Sequence, residues 1–165
     1  MNEWHDFFLA QAGAAGVLTG LVFVGVSINL EKIVSDPSFG LTGRAAEALI
    51  LLVAVLMASV LVLVPGQGAG VLGAEVLVVG LAAWGWIVAI QVPGLREWGT
   101  MRPELRSPFV ARVVLGQIAT LTLVVAGVAV LWVGAGGLYW LVAGTVFAIL
   151  AALADAWVLL VEINR

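Results

Sequence analysis

The sequence predicts an all-α integral membrane protein, a helical bundle of five transmembrane helices. Of the 165 residues, 63% are hydrophobic and only 10% are charged, whereas soluble domains average about 25% charged residues. The chain also contains five uninterrupted apolar stretches, and each has the roughly 20 residues that a helix needs to cross the hydrocarbon of a bilayer. Apolar positions run all round each stretch, as in lipid-buried helices, and lack the alternation of a transmembrane β-barrel.

Turn-forming residues separate the five predicted spans. Ser35-Asp36-Pro37-Ser38 follow the first span, and prolines 93, 103 and 108 separate the third from the fourth. Short glycine-rich segments at 66–70 and 134–137 predict tight antiparallel hairpins of spans 2 and 3 and of spans 4 and 5. The spans are 7–30, 45–65, 71–92, 109–133 and 138–161, within a single transmembrane domain of residues 1–165.

The distribution of basic residues predicts the orientation. With five spans, every Lys and Arg falls on one side of the membrane, and cytoplasmic loops are the ones that retain basic residues. We therefore expect the N-terminus outside and the C-terminus in the cytoplasm. The N-terminus lacks the basic flank of a cleaved signal peptide, so the first span is predicted to be retained. The basic residues are Lys32, Arg44, Arg96, Arg102, Arg106, Arg112 and Arg165.

Small residues line one face of several predicted helices. Bilayer helices associate by close packing at such residues, so each row is interpreted first as a packing seam. On span 1 the row runs the whole length of the helix and predicts that another helix docks there. The rows are Gly13, Gly16, Gly20 and Ser27 on span 1, Gly116 and Gly127 on span 4, and Gly144, Ala148 and Ala152 on span 5.

Asp155 is the candidate functional residue that the sequence favours most. It lies on the small-residue face of span 5, six residues before the end of the span at Val161, hence about 10 Å inside the cytoplasmic boundary. Such a carboxylate belongs either to a buried ion pair that fixes helix register or to a proton or ion path. Arg112 is the nearest predicted partner by depth. The expected inner polar layer comprises Asp155, Arg112, Glu47, Arg44 and Asn29, with Gln91 as a further candidate.

A second polar layer is expected on the outer side. Glu75 lies about one turn inside span 3, and His5 and Asp6 precede span 1. A histidine with carboxylates can bind a divalent metal or sense pH, but this spacing has no specificity. His5 and Asp6 are therefore interpreted as solvated tail residues, and no metal site is predicted.

Several function classes are excluded by composition. The chain has no cysteine and one histidine, so thiolate chemistry and motifs that need two histidines are absent. A net charge of -3 without a dense basic run gives no electrostatic footprint for nucleic acid. Asp155 has no second aspartate within the spans, and the serines there have no nearby histidine. We expect no enzymatic activity and no cofactor.

The N-terminal part resembles a known group of proteins. Trp4-His5-Asp6-Phe7-Phe8, followed by the stretch from Leu18 through Thr19-Gly20 to Asn29-Leu30, is similar to a group of uncharacterised small bacterial multi-span membrane proteins. The resemblance implies a location in the plasma (inner) membrane of a bacterium. It brings no activity, cofactor or catalytic residue.

The sequence leaves several functions open. The first hypothesis is a homo-oligomeric channel or transporter-like assembly, since the polar residues are too few to line a pathway in one chain. The alternative is an accessory or regulatory subunit that docks on a larger membrane complex through the small-residue row of span 1. A lipid-organising protein is a third. The expected partners are the lipid bilayer, further copies of the chain and another membrane protein.

Overall fold

The computed structural model describes residues 2–35 and 40–163, and this part of the chain is helical with no strand. The prediction of an all-α fold is therefore confirmed. Arg165, one of the residues used to predict the orientation, lies outside the described residues. A 3-10 turn at Gly134–Gly137 joins the last two helices. The helices are α1 Asn2–Ile28, α2 Leu30–Ser35, α3 Leu41–Val62, α4 Ala69–Arg96, α5 Pro103–Val133 and α6 Leu138–Ile163.

Four helical stretches are long and apolar enough to cross a membrane. They are Trp4–Ile28, Leu41–Val62, Ala69–Arg96 and Pro103–Leu159. The fourth is 57 residues long because it contains α5, the 3-10 turn and most of α6 without an intervening polar loop. The lengths and composition of these helices are those of a membrane protein.

The three prolines that were expected to lie between spans belong to helices. Pro93 is in the last turn of α4, which continues to Arg96, and its carbonyl accepts a hydrogen bond from the Glu97 backbone N–H at 3.1 Å. Pro103 is at the first position of α5 and Pro108 follows within the helix. Proline is tolerated in the first turn because the N–H groups there have no intrahelical partner. The α5 helix consequently begins well before the apolar stretch at 109.

The helices α4, α5 and α6 pack as antiparallel neighbours through glycines. A Cβ atom at Gly80 would lie 2.9 Å from the Val124 backbone nitrogen, and one at Gly127 would lie 2.5 Å from that of Leu77. Any side chain at these two positions would collide with the backbone of the adjacent helix. The glycines thus permit a short distance between the helix axes. Close packing of this kind is what associates helices in lipid, where no hydrophobic effect drives them together.

The α1 helix lies at the edge of the bundle and packs mainly against α3. Phe8 and Ala15 are fully buried, and Gln11 Nε2 donates a hydrogen bond of 2.8 Å to Ser59 Oγ on α3. In the apolar part of α1 only 17% of the residues are buried, compared with 50% in the apolar part of α3. Most of the α1 surface therefore faces away from the rest of the chain.

The antiparallel order of the helices gives the bundle two chemically different ends. At one end the Trp4 ring on α1 packs against the Tyr139 ring on α6, with centroids 4.8 Å apart. The opposite end, which we call the basic end, contains the C-terminus of α4 and the N-termini of α3 and α5. All of the basic residues that the structure describes belong to the basic end: Lys32, Arg44, Arg96, Arg102, Arg106 and Arg112.

Candidate functional site

Four charged side chains from three helices meet inside the bundle near its basic end. Arg44 and Glu47 come from α3, Arg112 from α5 and Asp155 from α6. We call these four residues the ion-pair cluster. Glu47 is 1% exposed and Asp155 2%. The two guanidiniums and two carboxylates sum to zero formal charge, so the cluster introduces no net charge into the apolar interior.

Arg112 joins two ion pairs into one unit. Its Nε donates a hydrogen bond of 2.6 Å to Glu47 Oε2. Its Nη2 lies 2.5 Å from the same oxygen, but outside hydrogen-bonding geometry, so this pair has one well-formed bond. Arg44 Nη1 donates to Asp155 Oδ1 at 2.9 Å, and the same oxygen is 3.7 Å from Arg112 Nε. Arg112 therefore lies between the two carboxylates.

Amide side chains extend the cluster to α4 and towards the middle of the bundle. Gln91 Nε2 donates to Glu47 Oε1 at 2.8 Å, and Gln117 Nε2 donates to Gln91 Oε1 at 2.8 Å. The Trp84 indole N–H donates to Gln117 Oε1 at 2.9 Å. The result is one continuous hydrogen-bonded network across α3, α4 and α5, joined to α6 through Asp155.

Sequence reasoning missed Gln117 and Trp84. Gln117 lies about 140° around α5 from Arg112, so it falls outside the face that carries Arg112 and Gly116. The signal that could have found it is the near absence of other amides: Gln91 and Gln117 are the only ones in α4 and α5. A buried amide needs polar partners, and these two are the natural partners for each other.

Gly116 makes room for the ion-pair cluster. A Cβ at Gly116 would lie 2.6 Å from Glu47 Oε1 and 2.8 Å from Gln91 Nε2. Gly116, which the sequence marks as a packing residue, thus has a specific function in the structure: it admits a carboxylate and an amide between α4 and α5.

The structure brings together four of the five residues of the expected inner polar layer. Depth along the helices made Arg112 the first partner for Asp155, but Arg44 is the closer of the two arginines. The reason is that Glu47, on the opposite side of Arg112, accepts its hydrogen bond. Breaking a buried ion pair costs about 3 to 5 kcal/mol because it leaves an uncompensated charge. The ion-pair cluster links α3, α5 and α6.

A groove between α5 and α6 borders the ion-pair cluster. It has a volume of about 150 Å³ and reaches Arg44, Arg112 and Asp155. Glu47 does not line it. The remaining walls are apolar and consist of Pro108, Ala111, Leu115, Ala151, Ala154 and Val158.

Asn29, the fifth residue of the expected inner layer, does not join the cluster. Its side-chain amide donates to the Gly25 carbonyl at 2.9 Å. It lines a second groove, of about 200 Å³, between α1 and α6, whose other walls are apolar apart from the glycine. Asn29 thus satisfies its amide locally, next to the end of α1.

The residues of the expected outer layer lie at the end opposite the basic end. Glu75 Oε2 accepts a hydrogen bond from Gln67 Nε2, whereas His5 and Asp6 are exposed on the first turns of α1. Within residues 2–35 and 40–163, no group of three or more histidine, aspartate and glutamate side chains is placed to hold a metal ion.

The predicted packing residues fall into two groups. Gly116, Gly127 and Gly144 face neighbouring helices; a Cβ at Gly144 would lie 3.1 Å from Leu123 Cδ2. Ala148 and Ala152 are fully buried in the same core as Ala15 and Ala48.

The row on α1 forms the second group and points away from the chain. At Gly13, Gly16 and Gly20, a Cβ would have no described atom within 4 Å. Ser27 is exposed and donates to the Phe23 carbonyl at 2.8 Å. No helix of the described chain docks on this row, which leaves it available to another molecule.

Fold and site together define a helical protein with long apolar helices suited to a membrane and a charge-neutral polar network in its interior. Comparison with protein-family models, curated proteins and solved structures finds no match. Inferences about function therefore depend on the geometry described above.

Proposed function

We propose that this protein crosses the plasma membrane of a bacterium five times and functions as a homo-oligomer assembled through α1. The 57-residue apolar stretch supports five spans, because α5 has 31 residues and α6 has 26, each enough for a crossing. The basic end supports a cytoplasmic C-terminus and an outside N-terminus. A reporter fused to the C-terminus should be active in the cytoplasm; activity only outside it contradicts this topology.

The outward row of small residues on α1 is the observation that supports the assembly. Gly16 and Gly20 are four positions apart, the spacing at which transmembrane helices approach closely through small side chains. At both positions the space around a Cβ is empty, so the second helix that such a surface fits comes from another molecule.

A second copy of the chain is the occupant that this surface fits best. Residues 7–28 contain no charged side chain, so nothing on this part of α1 calls for a partner of opposite charge. Two parallel α1 helices related by a two-fold axis present the same small row to each other, and an isologous contact of this kind needs only the chain itself.

The assembly is tested by mass measurement in nanodiscs. The wild-type chain should be a dimer or a larger oligomer, and the double variant Gly16→Leu/Gly20→Leu should be monomeric. Gly85→Leu is the matched control, since Gly85 on α4 is exposed and also has empty space around a Cβ. A monomeric wild type contradicts the homo-oligomer and favours docking on a larger membrane complex.

A channel or transporter-like activity of the assembly is a second candidate. The observation that favours it is the groove beside Arg44, Arg112 and Asp155, which brings an open space to charged groups. Vesicles containing the wild-type chain should then carry a proton or ion flux that Asp155→Asn abolishes while the oligomeric mass is retained. Loss of assembly in Asp155→Asn without any flux in the wild type assigns Asp155 a structural role.

A further inference from the structure

The α5–α6 groove combines a charged floor with apolar walls. Arg44 and Arg112 have side chains that are 15% and 11% exposed, and both line the groove together with Asp155. The walls run along α5 from Pro108 to Leu115, a distance of about 10 Å along the helix axis. The charged and the apolar parts of the groove therefore lie within one helical turn of each other.

Two guanidinium groups line the groove, although the ion-pair cluster as a whole is neutral. Glu47 is 1% exposed and lies outside the lining, which leaves two arginines and one aspartate. Asp155 Oδ1 already accepts a hydrogen bond from Arg44, so its charge is compensated. Arg112 is compensated by Glu47 in the same way, so the groove offers a ligand two guanidinium groups and no net charge.

Both guanidiniums keep donors that the described residues do not use. The ion pairs and hydrogen bonds of the described chain use Nη1 of Arg44 and Nε and Nη2 of Arg112. Arg44 Nη2 and Arg112 Nη1 make none of these contacts. Guanidinium groups bind phosphate oxygens through charge-assisted hydrogen bonds, and these two nitrogens are the donors available for one.

We propose that this groove binds an anionic glycerophospholipid. Its phosphate lies at Arg44 and Arg112, and one acyl chain lies against the apolar walls that include Ala111, Ala154 and Val158. The phosphate oxygens accept charge-assisted hydrogen bonds from the two guanidinium groups. The position of the groove near the basic end places the charged floor close to the headgroup layer of the cytoplasmic leaflet. This inference rests on the proposed insertion in the membrane and is independent of the assembly through α1.

Native mass spectrometry of the full chain, released from detergent micelles, tests the site. Phosphatidylglycerol and phosphatidylcholine with identical acyl chains are titrated separately. Phosphatidylglycerol should bind about fivefold more tightly, a difference of about 1 kcal/mol, because phosphatidylcholine brings a choline cation close to the two arginines. Equal binding of the two lipids overturns the proposal. Displacement of the lipid by glycerol phosphate alone also overturns it, since the ligand is then a free phosphate.

A variant that fills the groove keeps the test independent of the ion pairs. Ala154→Leu adds three carbon atoms to an exposed wall position without removing a polar partner, and it should weaken phosphatidylglycerol binding about fivefold or more. Ala89→Leu, at an exposed position of α4 outside the groove, is the matched control and should bind like the wild type. Wild-type affinity in Ala154→Leu overturns the site.

The same spectra report the oligomeric mass. A monomer that still prefers phosphatidylglycerol contradicts only the assembly through α1. A chain that sediments with soluble proteins instead of membranes contradicts the proposed insertion. Failure of the lipid site and failure of the proposed function are therefore distinguishable.

Discussion

Replacing Glu47 by glutamine tests whether the ion-pair cluster holds the helices together. Glutamine has the same shape as glutamate, but it replaces one acceptor oxygen by an NH₂ donor. Glu47 Oε1 accepts from Gln91 and Oε2 accepts from Arg112. In the variant, the new NH₂ group therefore faces another donor, either Gln91 Nε2 or Arg112 Nε. The cluster also gains one uncompensated positive charge.

The expected loss follows from the geometry around Arg112. Removing one partner of a buried ion pair costs about 3 to 5 kcal/mol. Asp155 Oδ1 is already 3.7 Å from Arg112 Nε and can approach it to take over part of the charge. We therefore expect Glu47→Gln to lower the free energy of unfolding by about 3 kcal/mol, the lower end of that range.

Unfolding by sodium dodecyl sulfate in mixed micelles, followed by circular dichroism, measures this loss. The double variant Glu47→Gln/Arg112→Gln leaves only the neutral pair of Arg44 and Asp155, so it should be more stable than Glu47→Gln alone. Glu75→Gln is the control at the opposite end. Its carboxylate contacts only Gln67 among the described hydrogen bonds, and the loss should stay below about 1 kcal/mol.

Two results would refute this reasoning. One is a Glu47→Gln variant as stable as the Glu75→Gln control, which would mean that the buried pairs contribute nothing to holding the helices. The other is a double variant whose loss equals the sum of the two single losses, which would mean that Glu47 and Arg112 act independently.

Two further predictions use the same unfolding measurement. Gly116→Ala places a methyl group 2.6 Å from Glu47 Oε1 and should cost about 1 to 3 kcal/mol; Gly85→Ala, where the space is empty, should cause no loss, and equal stabilities would contradict the steric explanation. Ser59→Ala removes the acceptor of the 2.8 Å bond from Gln11 Nε2 and should cost about 1 to 3 kcal/mol; a loss that persists when Gln11→Leu is added would show that the cost does not come from the unpaired amide.

The sequence predicted the helices better than their ends. Apolar length alone identified each long helix, because a backbone in lipid must satisfy its hydrogen bonds within the helix. The ends differ because helical hydrogen bonding does not stop where the apolar stretch stops. The α5 helix continues through Pro108 to Pro103, and α4 continues past Pro93 to Arg96. Hydropathy contains no information about these turns.

The composition of the candidate site was partly predictable, but its pairing was not. Charged residues within apolar stretches are rare, so Asp155, Arg112 and Glu47 stood out, and helical rise gave them similar depth. Which carboxylate pairs with which arginine depends on how the helices are rotated and how they cross. Asp155 lies 2.9 Å from Arg44 and 3.7 Å from Arg112, so the two distances differ by less than one residue's rise along a helix. Depth along a helix does not resolve a difference of this size.

The sequence by itself determined that the chain is helical and apolar enough for a membrane, that its basic residues gather at one end, and that a few polar residues lie deep in the helices. Each of these properties depends on the residues of one stretch of the chain and not on contacts between stretches, so composition and periodicity determine them. Only the tertiary structure decided that Gly116 packs against a carboxylate, whereas Gly16 and Gly20 face outward. Both kinds of glycine look alike in sequence, because a small residue permits close approach without specifying which helix approaches.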